Sequence, residues 1–429
     1  MKKVLIISYA FPPVGGGGVQ RSVKFVKYLK GFNWEPLVLT VANPSVPLVD
    51  LNLMKDVPIG TKIYKAKTFE PSYTSKIKYS QKASSFTMKL SGIIRKGLSN
   101  LLLPDIQTLW WPGLVLSLVR VLRKEKPHCI FVSAPPFSTF IPVVVVGKIF
   151  SIPVVLDYRD EWDYSRSQLE NLGKSAFARR LDRCFEKYCI MNCSAFTAAS
   201  ESYIDDLVRK YNLQEPEKGV CITNGFDEDD FIPVHPRTAK NGGLLNIVFS
   251  GTVWKGTSLK NFLCAVEQLL NKAPNAKSKF KIRIFGRIVD SEMAYFKSEA
   301  LKDVVEVEGY VDHDTIIKAI SDADILLMSI VDSAGADRII LGKTFEYMAT
   351  GKHIFALLPS GESERLLRNN YGNATIVEPG DMDKICNAML EFIEDIDAVR
   401  ASFSQDISQF TRRKLAEKLS GVLNSATSS

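Results

Sequence analysis

The regular alternation of strand-like and helix-like segments along the whole chain constrains the fold more than any other feature. Short runs rich in Val, Ile and Leu are separated by longer segments in which apolar residues recur every three or four positions. Parallel strands need a crossover connection, usually a helix, so this alternation predicts an α/β protein with parallel sheets covered by helices. The predicted strands are Val4–Tyr9, Glu35–Val41, Cys129–Ser133, Pro153–Asp157, Ala195–Ala199, Gly219–Thr223, Leu245–Thr252, Lys281–Phe285, Val304–Glu308, Ile325–Met328, His353–Leu358 and Ala374–Glu378.

A segment rich in proline, glycine and polar residues, 232–243, separates the two sets of strands. The chain has 429 residues, more than a single core normally organises. We therefore expect two doubly wound domains, at residues 1–235 and 244–404, with a last helix at 409–423 that crosses back onto the first domain. Open parallel sheets bind ligands beyond the carboxyl ends of their strands. If both carboxyl edges face one cleft, a single ligand could contact both domains.

Four consecutive glycines, Gly15 to Gly18, lie between the first predicted strand and a predicted helix that begins near Val19. They fit a flexible turn, and they also fit a loop whose amides approach an anionic ligand at a helix N-terminus. The run lacks the Lys-Ser/Thr of a P-loop, and it does not match the spacing of the dinucleotide fingerprint. The second strand, Glu35–Val41, also ends without the acidic residue that binds a ribose in dinucleotide enzymes. The loop therefore favours a phosphate or polar ligand without identifying it.

The net charge of +8 is too small to indicate nucleic-acid binding, which we do not expect. Basic residues are concentrated between Pro71 and Pro104, where they alternate with apolar ones and no acidic residue occurs. This stretch, 74–104, fits an anionic membrane surface and fits equally well an insertion packed by its apolar face. The aromatic pair Trp110–Trp111 follows it and favours the membrane interpretation.

No cleavable signal peptide is evident, and the apolar segment 140–156 is interrupted by Lys148 and two prolines, which favours core helix and strand over a membrane span. A cytoplasmic location is expected, and peripheral binding at the inner face of the membrane remains an option. Cys184, Cys189 and Cys193 lie close together, but no histidine is near them and the chain has no CxxC pair, so a zinc site is not expected.

Several motifs resemble one enzyme family. The segment Gly342-Lys-Thr-Phe-Glu-Tyr-Met-Ala-Thr-Gly351 resembles the K-x-x-E-x-x-A-x-G nucleotide-sugar signature of retaining family 4 glycosyltransferases with the GT-B architecture. The other landmarks occur in the family's order: the glycine loop and the segments 132–137, 157–162 and 223–227. The resemblance covers nearly the whole chain, and it is specific for the family but not for the substrate.

The resemblance implies a GT-B fold with two Rossmann-like domains, and a hexosyl-type glycosyltransferase of the EC 2.4 class. Such an enzyme moves a sugar from a UDP- or GDP-linked donor to a glycan acceptor and retains the anomeric configuration. The basic stretch 74–104 and the tryptophan pair that follows it suggest that the acceptor is lipid-linked, and we expect a role in surface polysaccharide biosynthesis. The nucleotide sugar would be a co-substrate, and we expect no cofactor. Two alternatives remain open: an NAD-dependent oxidoreductase, and a degenerate homologue that binds a nucleotide or glycan without catalysis.

The resemblance also assigns site residues. Glu346 would accept hydrogen bonds from the ribose hydroxyls, although a surface carboxylate is the simpler alternative, and Lys255 would bind phosphate, with Lys260 as the second choice. Arg338 stands where the family commonly has a glutamate eight residues before Glu346. The donor-binding set is Gly16, Gly17, Lys255, Lys260, Arg338, Gly342, Lys343, Thr344 and Glu346, the acceptor-binding set is Gly15, Gly18, Arg159 and Trp162, and the catalytic set is Asp160, Lys255 and Glu346.

Two acidic motifs have both a functional and a structural interpretation. Asp160 is placed by resemblance at the reacting centre, and the alternative is a surface ion pair with Arg159, which would contribute about 0–1 kcal/mol. Asp322-Ala-Asp324 has the DxD spacing used for divalent cations in other glycosyltransferases, but it directly precedes a strand. We favour the structural interpretation of this second motif and expect no metal requirement.

Overall fold

A computed structural model describes residues 1–45, 50–71, 102–162, 175–231, 243–401 and 403–428. The chain divides into two compact units. The first comprises Met1–Thr223 together with Arg412–Ser429, and the second comprises Asn224–Thr411. The predicted linker lies outside the described residues except for Gly243, and the division itself falls at Thr223, before that linker.

The first unit contains a parallel seven-stranded sheet within the described residues, in the order β3-β2-β1-β4-β5-β6-β7. Strand order reverses at β1, so the carboxyl ends of β1 and β4 form the switch point at which ligands of such sheets bind. The strands are β1 Lys2–Ser8, β2 Trp34–Val41, β3 Ile63–Ala66, β4 Cys129–Ala134, β5 Val154–Tyr158, β6 Ala195–Ala198 and β7 Gly219–Cys221.

Helices cover both faces of this sheet. They are α1 Gly17–Tyr28, α2 Trp111–Glu125, α3 Phe140–Ile149, α4 Ala176–Asn192, α5 Glu201–Tyr211 and, from the chain end, α12 Arg412–Ser428. Residues of α2, α3, α4 and α5 share one core with the sheet, and residues of α1 and α12 share the core on the other face. Apolar burial of Leu415, Leu419 and Leu423 therefore fixes the end of the chain on the first unit.

The second unit contains a parallel six-stranded sheet in its described part, in the order β10-β9-β8-β11-β12-β13. Its switch point lies between β8 and β11, and apolar cores occupy both faces. The strands are β8 Leu245–Ser250, β9 Phe280–Phe285, β10 Val305–Gly309, β11 Ile325–Ser329, β12 His353–Leu357 and β13 Ala374–Val377. The helices are α6 Lys260–Lys272, α7 His313–Ser321, α8 Lys343–Ala349, α9 Glu362–Asn370, α10 Met382–Glu394 and α11 Ile396–Arg400.

The predicted fold class is confirmed, and each predicted strand is present with ends that differ by at most two residues. Strand β3 was not predicted; it has four residues at the sheet edge and only one fully buried side chain, Ala66. Helix α1 starts earlier than predicted. The helix begins at Gly17, so the last two glycines of the run form its first turn.

The membrane predictions have different outcomes. Most of the basic stretch 74–104 lies outside the described residues. Trp110 is 1% exposed, packs edge-on against Tyr9 and donates from Nε1 to the Ala66 carbonyl at 3.1 Å. It is therefore buried, and the expectation of an exposed aromatic anchor at this residue was wrong. The apolar segment 140–156 is divided between α3 and β5, as predicted. None of the helices in the described part of the chain has the length and apolarity needed to cross a bilayer.

Candidate functional site

Ser250, the last residue of β8, is held from two sides by helix α8. The Tyr347 hydroxyl accepts a hydrogen bond from the Ser250 amide at 2.9 Å, and the Lys343 ammonium donates to the Ser250 carbonyl at 2.8 Å. Tyr347 is itself fully buried, and burial raises the pKa of its phenol. These bonds fix the loop that follows β8 relative to the first turn of α8.

Two glycines allow this loop to lie close to its neighbours. Gly251 and Gly286 follow β8 and β9 with φ of +121° and +124°, which favour glycine. A Cβ on Gly286 would lie 2.1 Å from the Gly251 carbonyl oxygen, and a Cβ on Gly251 would lie 3.7 Å from Lys343 Nζ. The backbone at the carboxyl edge of β8 and β9 is therefore closely packed, and the Lys343 amine lies directly beside it.

Lys343 has a partly buried amine, and the described residues offer it no carboxylate partner. Its Nζ lies 3.5 Å from the centre of the Phe249 ring and bonds the Ser250 carbonyl, and no ion pair joins it to any residue that the structure describes. Burial lowers its pKa from 10.5 to about 7, and the nearby negative charge of Glu346 opposes that change in part. An anion bound at this amine would restore its charged state.

Glu346 lies one turn after Lys343 in α8, is half-buried, and is close enough to act on the charge of that lysine. Of the two candidate phosphate lysines, Lys260 starts α6 and lies over the Tyr295 ring at 5.4 Å. Lys255 is exposed in the loop after β8 and has no side-chain partner among the described residues. The geometry therefore favours Lys255 over Lys260 as the cation available to a ligand.

Three other predicted donor residues lie near the same edge. Gly342 directly precedes α8, and a Cβ there would lie 3.8 Å from the Asn224 amide nitrogen. Thr344 is fully buried, and its hydroxyl has no hydrogen-bond partner in the described part of the chain. Arg338 is half-buried in a 3₁₀ turn, Ala336–Arg338, that follows β11. Of these three, Thr344 has no surface that a ligand could reach.

In the first unit, Arg159 joins the loops that follow three neighbouring strands. It follows β5, and its guanidinium donates to the Gly18 carbonyl and, at 3.3 Å, to the Pro135 carbonyl. A Cβ on Gly18 would lie 3.2 Å from the guanidinium carbon, whereas a Cβ on Gly16 would have no atom within 4 Å. Gly16 thus has open space beside it in the described structure. Gly15, which precedes it, is half-buried, and Gly17 and Gly18 begin α1.

Asp160 is an exposed carboxylate directly after Arg159. Surrounding protein limits its hydration and raises the pKa of this carboxyl, and the positive charge of Arg159 opposes that change in part. Trp162, by contrast, is 1% exposed and packs on the Phe137 ring at 4.8 Å, while its amide donates to the Tyr203 hydroxyl at 2.9 Å. Trp162 therefore supports the Asp160 loop from beneath instead of offering a surface to an acceptor.

A buried ion pair beneath this edge was missed in the sequence analysis. Arg21 of α1 binds Asp157 of β5 through two nitrogens, with the shortest distance 2.7 Å, and both side chains are at most 1% exposed. The hydroxyls of Ser133 and Thr197 also donate to Asp157, each at 2.7 Å. Burial opposes ionisation of Asp157, but these partners outweigh it and lower the pKa of its carboxyl. The only local signal was a charged residue within an apolar strand.

The DxD motif lies at the opposite edge of the second sheet, where β11 begins. Arg400 binds both carboxylate oxygens of Asp324, at 2.9 and 3.1 Å, and the Asn246 amide donates to the same carboxylate at 2.8 Å. This arrangement agrees with the structural interpretation of the motif. The expectation that no metal is required remains a prediction.

The two parallel-sheet units define the chain as a protein of the GT-B fold. Residues 245–395, which lie in the second unit, match the family model described as Glycosyl transferases group 1. No curated protein sequence matches the chain significantly.

Solved structures of similar fold cover almost the whole chain. HepE of Anabaena, in complex with UDP and glucose, has a TM-score of 0.65 and 15% identity over 99% of this chain and 100% of its own. WaaG, a glycosyltransferase involved in lipopolysaccharide biosynthesis, has a TM-score of 0.62 and 10% identity over 98% and 99%. The UDP-GlcNAc 2-epimerase of Neisseria meningitidis, bound to UDP-GlcNAc, has a TM-score of 0.56 and 14% identity over 98% and 99%. At these identities, the likeness concerns the fold alone.

Proposed function

We propose that the protein is a glycosyltransferase that moves a hexosyl-type sugar from a nucleotide-diphosphate sugar to a glycan acceptor. The observation that carries the proposal is the environment of Lys343. Its amine is partly buried and has no carboxylate partner among the described residues, and it lies beside glycine-rich backbone within the segment that matches the glycosyltransferase family model. A diphosphate supplies the missing negative charge. A UDP-linked donor is favoured over a GDP-linked one because HepE, of the same fold, is in complex with UDP and glucose.

The donor would be bound by residues of the second unit. Lys343 would bind the diphosphate at the carboxyl edge of β8, with Lys255 as a second cation from the loop that follows it. Glu346, on the same helix and one turn further on, would accept hydrogen bonds from the ribose hydroxyls. Arg338, after β11, would contribute a further positive charge on the donor side in place of the glutamate that the family commonly has.

The proposed reaction breaks the bond between the anomeric carbon and the β-phosphate oxygen, and it forms a bond from that carbon to an acceptor oxygen. Negative charge develops on the departing diphosphate, and Lys343 and Lys255 would stabilise it there. The acceptor hydroxyl proton would pass to the departing diphosphate on the same face of the sugar. The new bond then forms on the face from which the diphosphate leaves, so the anomeric configuration is retained, as the family resemblance implies. Asp160 would orient the acceptor hydroxyl or stabilise positive charge on the sugar ring.

The acceptor is proposed to be a lipid-linked glycan in surface polysaccharide biosynthesis. The support is the similar fold of WaaG, which is involved in lipopolysaccharide biosynthesis. On this proposal the protein acts at the cytoplasmic face of the membrane. The stretch 74–104 remains a candidate for that contact and lies mostly outside the described residues.

A donor screen tests the proposal. UDP- and GDP-sugars are incubated with the protein, and free nucleotide diphosphate is measured together with any new nucleotide sugar. We expect release of UDP from one donor, abolished by Lys343→Met and unaffected by Lys272→Met, which removes an exposed cation at the far end of α6. A new UDP-sugar without free UDP would instead indicate an epimerase, whose fold is similar. Thermal stabilisation by NAD and not by UDP would indicate an oxidoreductase, and binding without turnover a non-catalytic homologue.

A further inference from the structure

Three neighbouring helices on one face of the first sheet, α2, α3 and α4, expose positive charge without negative charge. They pack side by side against the same core. All of their lysines and arginines are exposed, and all of their carboxylates are buried. The cations are Arg120, Arg123, Lys124, Lys148, Arg179, Arg180, Arg183 and Lys187, and the carboxylates are Glu125, Asp182 and Glu186. Ordinary solvated surfaces mix both signs, so this segregation calls for a specific partner.

Two of the buried carboxylates are neutralised by groups from other elements. Glu125 accepts hydrogen bonds from Lys62 at 2.9 Å and from the Tyr64 hydroxyl at 2.6 Å. Glu186 is held by Lys210 at 2.7 Å and by the Tyr211 hydroxyl at 2.5 Å. These contacts keep both carboxylates away from the outer cations of the same helices. Among the described residues, no ion pair joins the outer cations other than Arg179 to a carboxylate, so the outward face keeps most of its positive charge.

Apolar side chains are exposed among these cations. Ile149 at the end of α3 is 72% exposed, and Tyr188 and Met191 in the last turns of α4 are 39% and 51% exposed. Asn192 fastens the two helix ends together: it accepts from Lys148 Nζ at 2.6 Å and donates to the Tyr188 carbonyl at 2.7 Å. The three exposed apolar side chains therefore lie at one place on the surface. Large exposed apolar groups of this kind mark an interaction site when they are grouped.

We infer that the outward face of α2, α3 and α4 docks the protein on an anionic lipid bilayer. Cations attract acidic head groups, and aliphatic and aromatic side chains enter the interface between head groups and acyl chains, so a bilayer uses both features of this face. A nucleic acid would use the cations and leave Ile149 and Met191 without a role. This face is distinct from the stretch 74–104. Docking would bring the enzyme to the lipid-linked acceptor proposed above. Binding of this face to the bilayer does not itself require the donor or the acceptor.

Vesicle co-sedimentation tests the inference on the full chain. The vesicles contain phosphatidylcholine alone or with phosphatidylglycerol, at physiological salt. We expect binding only to the anionic vesicles, and a loss on the order of 100-fold in partition coefficient for the triple variant Arg180→Glu, Arg183→Glu, Lys187→Glu. Absence of binding by the unaltered protein would overturn the inference.

A matched charge control separates this face from net charge. The triple variant Lys30→Glu, Arg413→Glu, Lys418→Glu makes the same change in net charge at exposed positions on or beside α1 and α12, on the other face of the sheet. It should bind anionic vesicles within about threefold of the unaltered protein. Equal losses in the two triple variants would show that net charge alone drives binding and would contradict a specific docking face.

The apolar contribution needs its own variant. The double variant Ile149→Ser, Met191→Ser should lose about tenfold in binding, because it removes two exposed aliphatic groups and no charge. Unchanged binding by this variant would overturn insertion into the bilayer. All variants should keep the thermal stabilisation given by UDP, so a failure of docking is distinguishable from a failure of the proposed donor site.

Discussion

Binding of a nucleotide sugar should draw a proton onto Lys343. In the free protein burial lowers the pKa of this amine to about 7, so at about pH 7.5 roughly three quarters of the molecules carry it neutral. A diphosphate within hydrogen-bond distance favours the charged form and raises the pKa by about 1–3 units. The complex is then largely protonated, and we expect uptake of about 0.5–0.75 proton for each donor bound.

Isothermal titration calorimetry in buffers of different ionisation enthalpy measures this uptake. UDP-glucose is the suitable ligand because its phosphodiesters do not titrate near neutral pH. The observed binding enthalpy should vary linearly with the ionisation enthalpy of the buffer, and the slope gives the number of protons. Lys343→Met should bind more weakly and show no slope. A zero slope for the unaltered protein, or the same slope for the variant, would refute the reasoning.

The direction of the pH dependence follows from the same shift. Because donor binding raises the pKa of Lys343, its contribution to affinity is complete below about pH 7 and declines as pH rises, by up to about tenfold per unit. The free energy of unfolding depends on pH in the opposite direction and rises as pH rises, since the pKa of Lys343 in the folded protein lies below the unfolded value of 10.5. The charged amine therefore costs stability at neutral pH. The methionine variant should unfold at the same temperature or higher, which distinguishes lost binding from misfolding.

Four further predictions concern other residues and the metal. Asp160→Asn should lower kcat and leave the dissociation constant of the donor nearly unchanged, whereas Glu346→Gln should raise that dissociation constant about tenfold. If both variants have the same kinetics as the unaltered protein, these roles are rejected. Gly286→Ala should lower the melting temperature by several degrees, because its Cβ would meet a carbonyl oxygen at 2.1 Å, and an unchanged temperature would contradict that packing. Asp157→Asn should cost about 3–5 kcal/mol in denaturant unfolding, because it leaves a buried arginine unpaired, and a loss under about 1 kcal/mol would argue against the network. EDTA should leave turnover unchanged, and inhibition of turnover by EDTA would indicate that the enzyme requires a metal ion.

The sequence predicted those parts of the fold that depend on local pattern. Apolar runs such as Ile325–Ser329 are buried on both faces, so they are visible as short continuous strands. The edge strand Ile63–Ala66 is mostly not fully buried and lacks that signal. Trp110 looked like a surface anchor because it follows the basic stretch 74–104 and lies beside a second tryptophan, Trp111. Its burial depends on Tyr9 and Ala66, which are distant in sequence.

The candidate site shows the same division. Lys343 and Glu346 belong to one helical turn, so their spacing could be recognised from the sequence. The absence of a carboxylate partner for Lys343 in the described structure, and its contact with the Phe249 ring, depend on a strand that lies more than ninety residues earlier. The pair Arg21–Asp157 spans 136 residues, and no periodicity reports such a contact. Long-range pairing of charges is what the sequence alone could not supply.

A crystal structure of the protein with UDP tests the central claim most directly. The account predicts the diphosphate within hydrogen-bond distance of Lys343 Nζ, beside Gly251, with the ribose hydroxyls bonded to the Glu346 carboxylate. Density for UDP at any other place in the chain, with Lys343 still bonded only to the Ser250 carbonyl, would contradict it.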